Sequence, residues 1–124
     1  MIYLWIFLGS GLGGMLRYLT STTLQNLINP GSFPIGTFGV NMIGCLIIGF
    51  IAQLSEARAV FSPDVRIFLM VGILGGFTTF SSFGYETVQL IREGEFLLAL
   101  GNAAGQLILG LIMVYIGYVL ARLI

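Results

Sequence analysis

Charge is the scarcest property of this chain. Only 8% of its 124 residues are charged, against about 25% in a soluble domain, while 57% are hydrophobic. The mean hydropathy is +1.03. So few charges cannot cover a water-exposed surface, and lipid is the natural solvent. Histidine and lysine are absent, and five arginines balance five acids. Without histidine there is no His-ligated metal and no histidine proton relay. Zero net charge argues against a nucleic-acid partner, which demands a basic face. It also argues against a polybasic anchor on a membrane surface. The single cysteine, Cys45, lies in an apolar run and cannot staple the chain to itself. The opening Met1-Ile2-Tyr3-Leu4-Trp5 contains no positive n-region, so the first apolar stretch is expected to remain as a span and not to be cleaved as a leader. Catalytic sets are missing too: Cys45 has no obvious base, and no G-x-x-x-x-G-K-[ST] nucleotide loop is present. The chain is therefore not expected to be an enzyme, nor an ATP-driven pump by itself.

What is present is length of apolar sequence. A spanning helix needs about 20 mostly apolar residues, and four segments reach that. The first runs from Ile2 to Leu24, followed by a connector from Gln25 to Pro34 with Asn29-Pro30-Gly31 as its turn. The second runs from Ile35 to Leu54, and Ser55 to Pro63 connects it onward. The third begins at Asp64, just after Pro63, and reaches Ile91. The polar turn Arg92-Glu93-Gly94-Glu95 leads to a fourth segment from Phe96 to Ile124. The expected fold is an all-α integral membrane protein, one four-helix domain over residues 1–124. Four spans put Arg58, Arg66 and Arg122 on one side, with Arg92 and Arg17 toward the other. Arginine bias sets orientation, and so even a split predicts insertion both ways round. Small residues four apart, Gly9 with Gly13, Gly72 with Gly76 and Gly101 with Gly105, would let helices approach closely. With 18 glycines in the chain they point to a tight, oligomeric bundle.

The third segment is interrupted in composition. Gly75-Gly76 is followed by Phe77-Thr78-Thr79-Phe80-Ser81-Ser82-Phe83. Paired glycine plus clustered hydroxyls favours a local break, and freed carbonyls inside a membrane must be buried or face a cavity. The alternative is a continuous helix whose hydroxyls bond back to their own backbone. Several residues stand out singly. Arg17, near the end of its span, is either functional or a snorkelling helix-end arginine. Glu86 is the one acid clearly inside a span, placed to pair with an arginine or to line a polar vestibule. Asn41 carries two N–H donors, with Thr37 four residues earlier on the same face; it either replaces water around an anion or glues helices together. Phe80 and Phe83, three apart, can present their positive ring edges to an anion or simply pack. Gln106 is the polar residue on a face of the fourth segment that continues through Gly110 and Val114.

Three stretches together resemble the Fluc-type fluoride channels, also called CrcB proteins. They are Gly13-Gly14-x-x-Arg17-Tyr18, then Gly36-Thr37-Phe38-x-Val40-Asn41-x-x-Gly44, then Gly72-x-x-Gly75-Gly76-Phe77-Thr78-Thr79-Phe80-Ser81-Ser82-Phe83. The resemblance covers the whole chain in length, span count and motif order. It implies an antiparallel, dual-topology homodimer in the plasma (inner) membrane of a prokaryote. The third helix is broken near mid-membrane, and two passive pores export cytoplasmic fluoride. It implies a structural sodium ion held by the backbone carbonyls of Gly75 and Thr78 and their symmetry mates. Phe80, Phe83 and Asn41 match pore positions. Thr37, Ser81 and Ser82 match hydroxyls near the pathway, and Arg17 and Glu86 match vestibule charges. Two departures stand out. The family often has Thr where Ser82 stands, and hydroxyls where Gly110 and Val114 stand, leaving Gln106 to supply the polar track.

Two other functions fit the length. A small multidrug-type, proton-coupled exporter shares the span count but needs an acid in its first span, and none is there. A structural subunit of a larger membrane complex would transport nothing.

Overall fold

The computed structural model describes residues 1–124 and contains four helical passages. Helix α1 spans Ile2–Ile28, α2 spans Ile35–Arg58 and α6 spans Phe96–Arg122. The third passage is composite. It comprises α3 (Pro63–Ile67), a π-helical turn (Phe68–Ile73), α4 (Leu74–Phe77) and, after a break, α5 (Phe80–Arg92). All four passages are long and apolar enough to cross a membrane, with mean hydropathies between 1.2 and 2.0.

The helices outrun the expected segments. α1 continues to Ile28, where Asn29 turns left-handed (φ 44°) and returns its N–H to the Gln25 carbonyl. Gln25 therefore sits inside the helix. Its side chain ties down the connector, donating to the Phe33 carbonyl at 3.1 Å and accepting the Gly36 N–H at 3.0 Å. α2 continues through Ser55-Glu56-Ala57-Arg58, whose side chains allow a helix to run on into water past the apolar stretch. The third passage starts at Pro63, one residue before the expected Asp64. Ser62 caps it and proline occupies the first turn, where its missing N–H costs nothing. Gly94, at φ 80°, makes the last turn.

The bundle is inside-out relative to a soluble domain. Asn102 is fully buried, and Thr37, Gln53, Thr79 and Gln106 are buried too. Leu97, Leu107, Leu111 and Tyr115 lie exposed on the outside. α2 packs along α6, α1 packs along the π-turn and α4, and α5 leans on α6. Glycine makes two of these seams. At Gly13 an added Cβ would lie 2.1 Å from the Ile73 carbonyl oxygen. Where α2 meets α6, a Cβ on Gly49 or Gly117 would lie 2.0 Å from the carbonyl oxygen of Val114 or Leu46. Gly101 and Gly105 behave differently: nothing stands within 4 Å of a Cβ at Gly101, and Gly105 meets only the Phe38 ring. That pair brings no backbones together within the protomer.

Candidate functional site

The break falls at Thr78–Thr79, just past the glycine pair. Thr78 and Thr79 are extended (ψ 158° and 116°), which separates α4 from α5. The local break is what the structure shows, and the continuous helix is not. Thr78 Oγ1 does bond back to the Leu74 carbonyl at 2.9 Å, yet α4 has already ended at Phe77. What holds it open comes from α2. The Thr79 N–H donates to Asn41 Oδ1 at 2.9 Å, and Asn41 Nδ2 donates to the Thr79 carbonyl at 3.1 Å. One carboxamide thus satisfies both backbone groups of the extended residue, as buried polar groups require. Because the Thr79 N–H turns to Asn41, the Gly75 carbonyl four residues back loses its helical partner. The Thr79 hydroxyl then caps α5 by accepting the Ser82 N–H at 3.1 Å.

The candidate residues fall on two sides of Thr79. On one side is an apolar groove of about 440 Å³, lined by Asn41, Cys45, Gly75, Thr78, Phe80, Phe83, Gln106 and Val114 among others. Phe80 is 82% exposed there, and its ring stacks obliquely on Phe83 with centroids 5.4 Å apart. On the other side is a polar pocket of about 450 Å³, lined by Gly14, Arg17, Tyr18, Ser21, Thr37, Ser82 and Glu86. Thr79 is the one residue lining both. Ser81 lines neither; its hydroxyl lies 3.3 Å from Thr79 Oγ1, and Ser82 Oγ accepts from Thr79 Oγ1 at 3.1 Å.

In the polar pocket, Arg17 and Glu86 are not joined. Arg17 Nη1 donates to the Thr78 carbonyl at 3.3 Å, and Glu86 Oε1 accepts from Thr37 Oγ1 at 2.8 Å. Glu86 Oε2 is buried with no partner. The acid therefore lines the polar pocket and closes no salt bridge. In the groove, Asn41 makes a third bond, donating Nδ2 to Gln106 Oε1 at 2.7 Å. Gln106 Nε2 donates to Asn102 Oδ1 at 3.0 Å, and Asn102 Nδ2 donates to Thr87 Oγ1 at 2.9 Å. Thr87 in turn donates to the Phe83 carbonyl at 2.7 Å. Asn102, Thr79 and Thr87 were not among the residues the sequence singled out. For Asn102 the signal was available: a second carboxamide four residues before Gln106, on the same helical face.

These features define a class: a small polytopic helical membrane protein whose third passage is broken around amides, hydroxyls and aromatic rings. A family model described as CrcB-like protein, Camphor Resistance (CrcB), matches residues 4–118. The chain belongs to that family. Among curated relatives, a fluoride-specific ion channel FluC of Helicobacter pylori (strain J99) is 45% identical over 123 residues, covering 98% of this chain and 94% of the relative. The fluoride-specific ion channel FluC of Helicobacter acinonychis is 44% identical, and that of Maridesulfovibrio salexigens 43%; each alignment covers 98% of this chain and 96% of the relative.

Proposed function

We propose that residues 1–124 act as one four-helix unit of a passive fluoride-selective channel, and that two copies pair antiparallel to form two pores. The carrying observation is the break itself. It gathers the donors of Asn41 and Gln106, the hydroxyls of Thr79, Ser81 and Ser82, and the rings of Phe80 and Phe83 within a few residues of one another. The relatives' specificity for fluoride supports the choice of ion. A small, strongly hydrated anion enters only where donors replace its water, and it leaves only if no fixed cation holds it. The groove side offers amide N–H and ring edges with no formal charge. Arg17, the cation of the pocket, is already engaged by the Thr78 carbonyl. Both N–H groups of Asn41 are spent on protein acceptors. An anion at this point therefore takes over the N–H now held by Gln106 Oε1, exchanging one acceptor for another. Thr37 and Glu86 lie at the vestibule, with Ser82 between them and the break.

The antiparallel pair is supported by the near-even arginines and by the exposed groove, whose wall of Phe80, Leu107 and Leu111 has no cover in a single copy. The residues also fit a structural sodium ion. The Gly75 carbonyl is free of its helical N–H, the Thr78 carbonyl retains one lone pair beside its bond from Arg17, and both residues line the same groove. Neutral carbonyl oxygens suit a monovalent hard cation, and symmetry mates would complete the set. When bound, the ion would cross-link two breaks.

The test is fluoride-electrode measurement of efflux from proteoliposomes of the purified protein. Fluoride efflux is expected from the wild type and is expected to be lost in Phe80→Ile and Asn41→Asp. Asp at 41 would still accept the Thr79 N–H but would point a carboxylate oxygen at the Thr79 carbonyl and at Gln106 Oε1. Unchanged flux in both variants removes the pore assignment. A proton-coupled drug signal would favour an exporter instead, and silence in both assays a structural subunit.

A further inference from the structure

We infer that Asn102 is a positioning residue for the anion pathway, acting through Gln106 on the carboxamide of Asn41. The inference rests on the channel reading above. Asn102 has no exposure at all, lines neither cavity, and touches the pathway only through its partners. A buried carboxamide must satisfy its atoms or cost stability, and the polarity of this chain of amides is dictated from its end. The Thr79 N–H can only donate and the Thr79 carbonyl can only accept, so the Asn41 amide has one orientation. Its second N–H then needs an oxygen, which Gln106 supplies as Oε1. Gln106 can face that way only if its Nε2 finds an acceptor behind it, and the one it has is Asn102 Oδ1. Asn102 in turn presents Oδ1 because its Nδ2 is taken by Thr87, whose proton goes to the Phe83 carbonyl. The chain so returns to α5, the helix that carries both phenylalanines.

Without Asn102, the buried Nε2 of Gln106 has no acceptor. The Gln106 amide is then free to rotate or swing toward the groove, and it no longer restrains the N–H that Asn41 offers.

A double-mutant cycle tests this. Asn102→Leu keeps the volume and removes both bonds, and fluoride efflux is expected to fall about tenfold, the scale of one buried hydrogen bond. In a Gln106→Leu background the same substitution is expected to change efflux by less than about twofold, because Asn102 then has nothing to position. Thr87→Val, which keeps shape and removes the acceptor for Asn102 together with the hydroxyl's own bond to the Phe83 carbonyl, is expected to show the same dependence on Gln106 and serves if Asn102→Leu does not fold. A spectroscopic arm reads the amide directly. In protein carrying ¹⁵N-asparagine in detergent micelles, the two Nδ2 protons of Asn41 are identified by their loss in Asn41→Leu. One of them is expected to move upfield in Asn102→Leu and in Thr87→Val. Equal losses of efflux in the two backgrounds, or an unmoved Asn41 pair, overturns the assignment. If the wild type passes no fluoride, the channel reading fails by itself, and the spectroscopic arm still decides whether Asn102 positions Asn41.

Discussion

At the residue scale, Asn41 carries two duties that cannot be separated. It is an amide lining the groove and the clamp that keeps Thr79 extended. Asn41→Leu should therefore cost stability as well as transport. It would orphan a buried N–H and a carbonyl, at about 1–3 kcal/mol each, and chemical denaturation in micelles should register the loss alongside the missing efflux. Thr79→Ala should be milder, removing the cap on the Ser82 N–H for about 1 kcal/mol, with Thr79→Ser close to wild type in the same measurement. Much of this site was visible beforehand in Asn41, Phe80, Phe83, Gln106, Arg17 and Glu86, because polar or aromatic residues in an apolar span are conspicuous. Asn102 was passed over among Gly101, Ala103 and Ala104: its spacing from Gln106 was in the sequence, but its second partner, Thr87 on α5, comes only with the packing. Nor was it legible that Glu86 would face Thr37 and not Arg17. Which of two polar residues an acid chooses depends on how the helices pack.

At the element scale, the third passage departs most from a simple span. The glycine pair and the hydroxyls marked the region of the break, but its position two residues beyond Gly76 is set by a side chain from α2. The π-turn at Phe68–Ile73, where the Leu74 N–H reaches the Leu69 carbonyl five residues back, had no sequence signature. It adds a residue to the helix just where Gly72 lies against Gly9, with an added Cβ there 2.8 Å from the Gly72 Cα. Seams of this closeness give a sharp contrast. Gly13→Ala and Gly49→Ala would drive a methyl into a carbonyl of the facing helix and should destabilise by about 1–3 kcal/mol or more. Gly101→Ala, with open space around it, should be neutral or up to about 1 kcal/mol stabilising through helix propensity. Thermal unfolding of the three purified variants in one detergent separates the two outcomes. The helix ends were harder to place, since α2 and α1 run past the apolar segments on polar residues that still form helix in water.

At the scale of the whole molecule, the four passages followed from composition and length alone, whereas the pairing of copies did not. The groove beside the break offers a natural reporter, because its wall contains Cys45, the single cysteine. If a second copy covers the groove, Cys45 should resist a bulky maleimide in liposomes and react once the protein is dissociated to monomers in harsh detergent; ready labelling in the bilayer would argue against that cover. Tags on the C-terminus should likewise be found on both sides of the membrane, and a single location in every molecule would exclude dual topology. The break has a last consequence, electrical in kind. Peptide dipoles in a helix sum to partial charge, negative at the carbonyl end and positive at the amide end. At Thr78–Thr79 one helix finishes and another begins, so the carbonyl end of α4 and the amide end of α5 lie two residues apart. A stretch of neutral chain in the middle of a hydrocarbon layer thus shows a faintly negative face and a faintly positive one side by side. It offers partial charge of both signs while adding no net charge to the span.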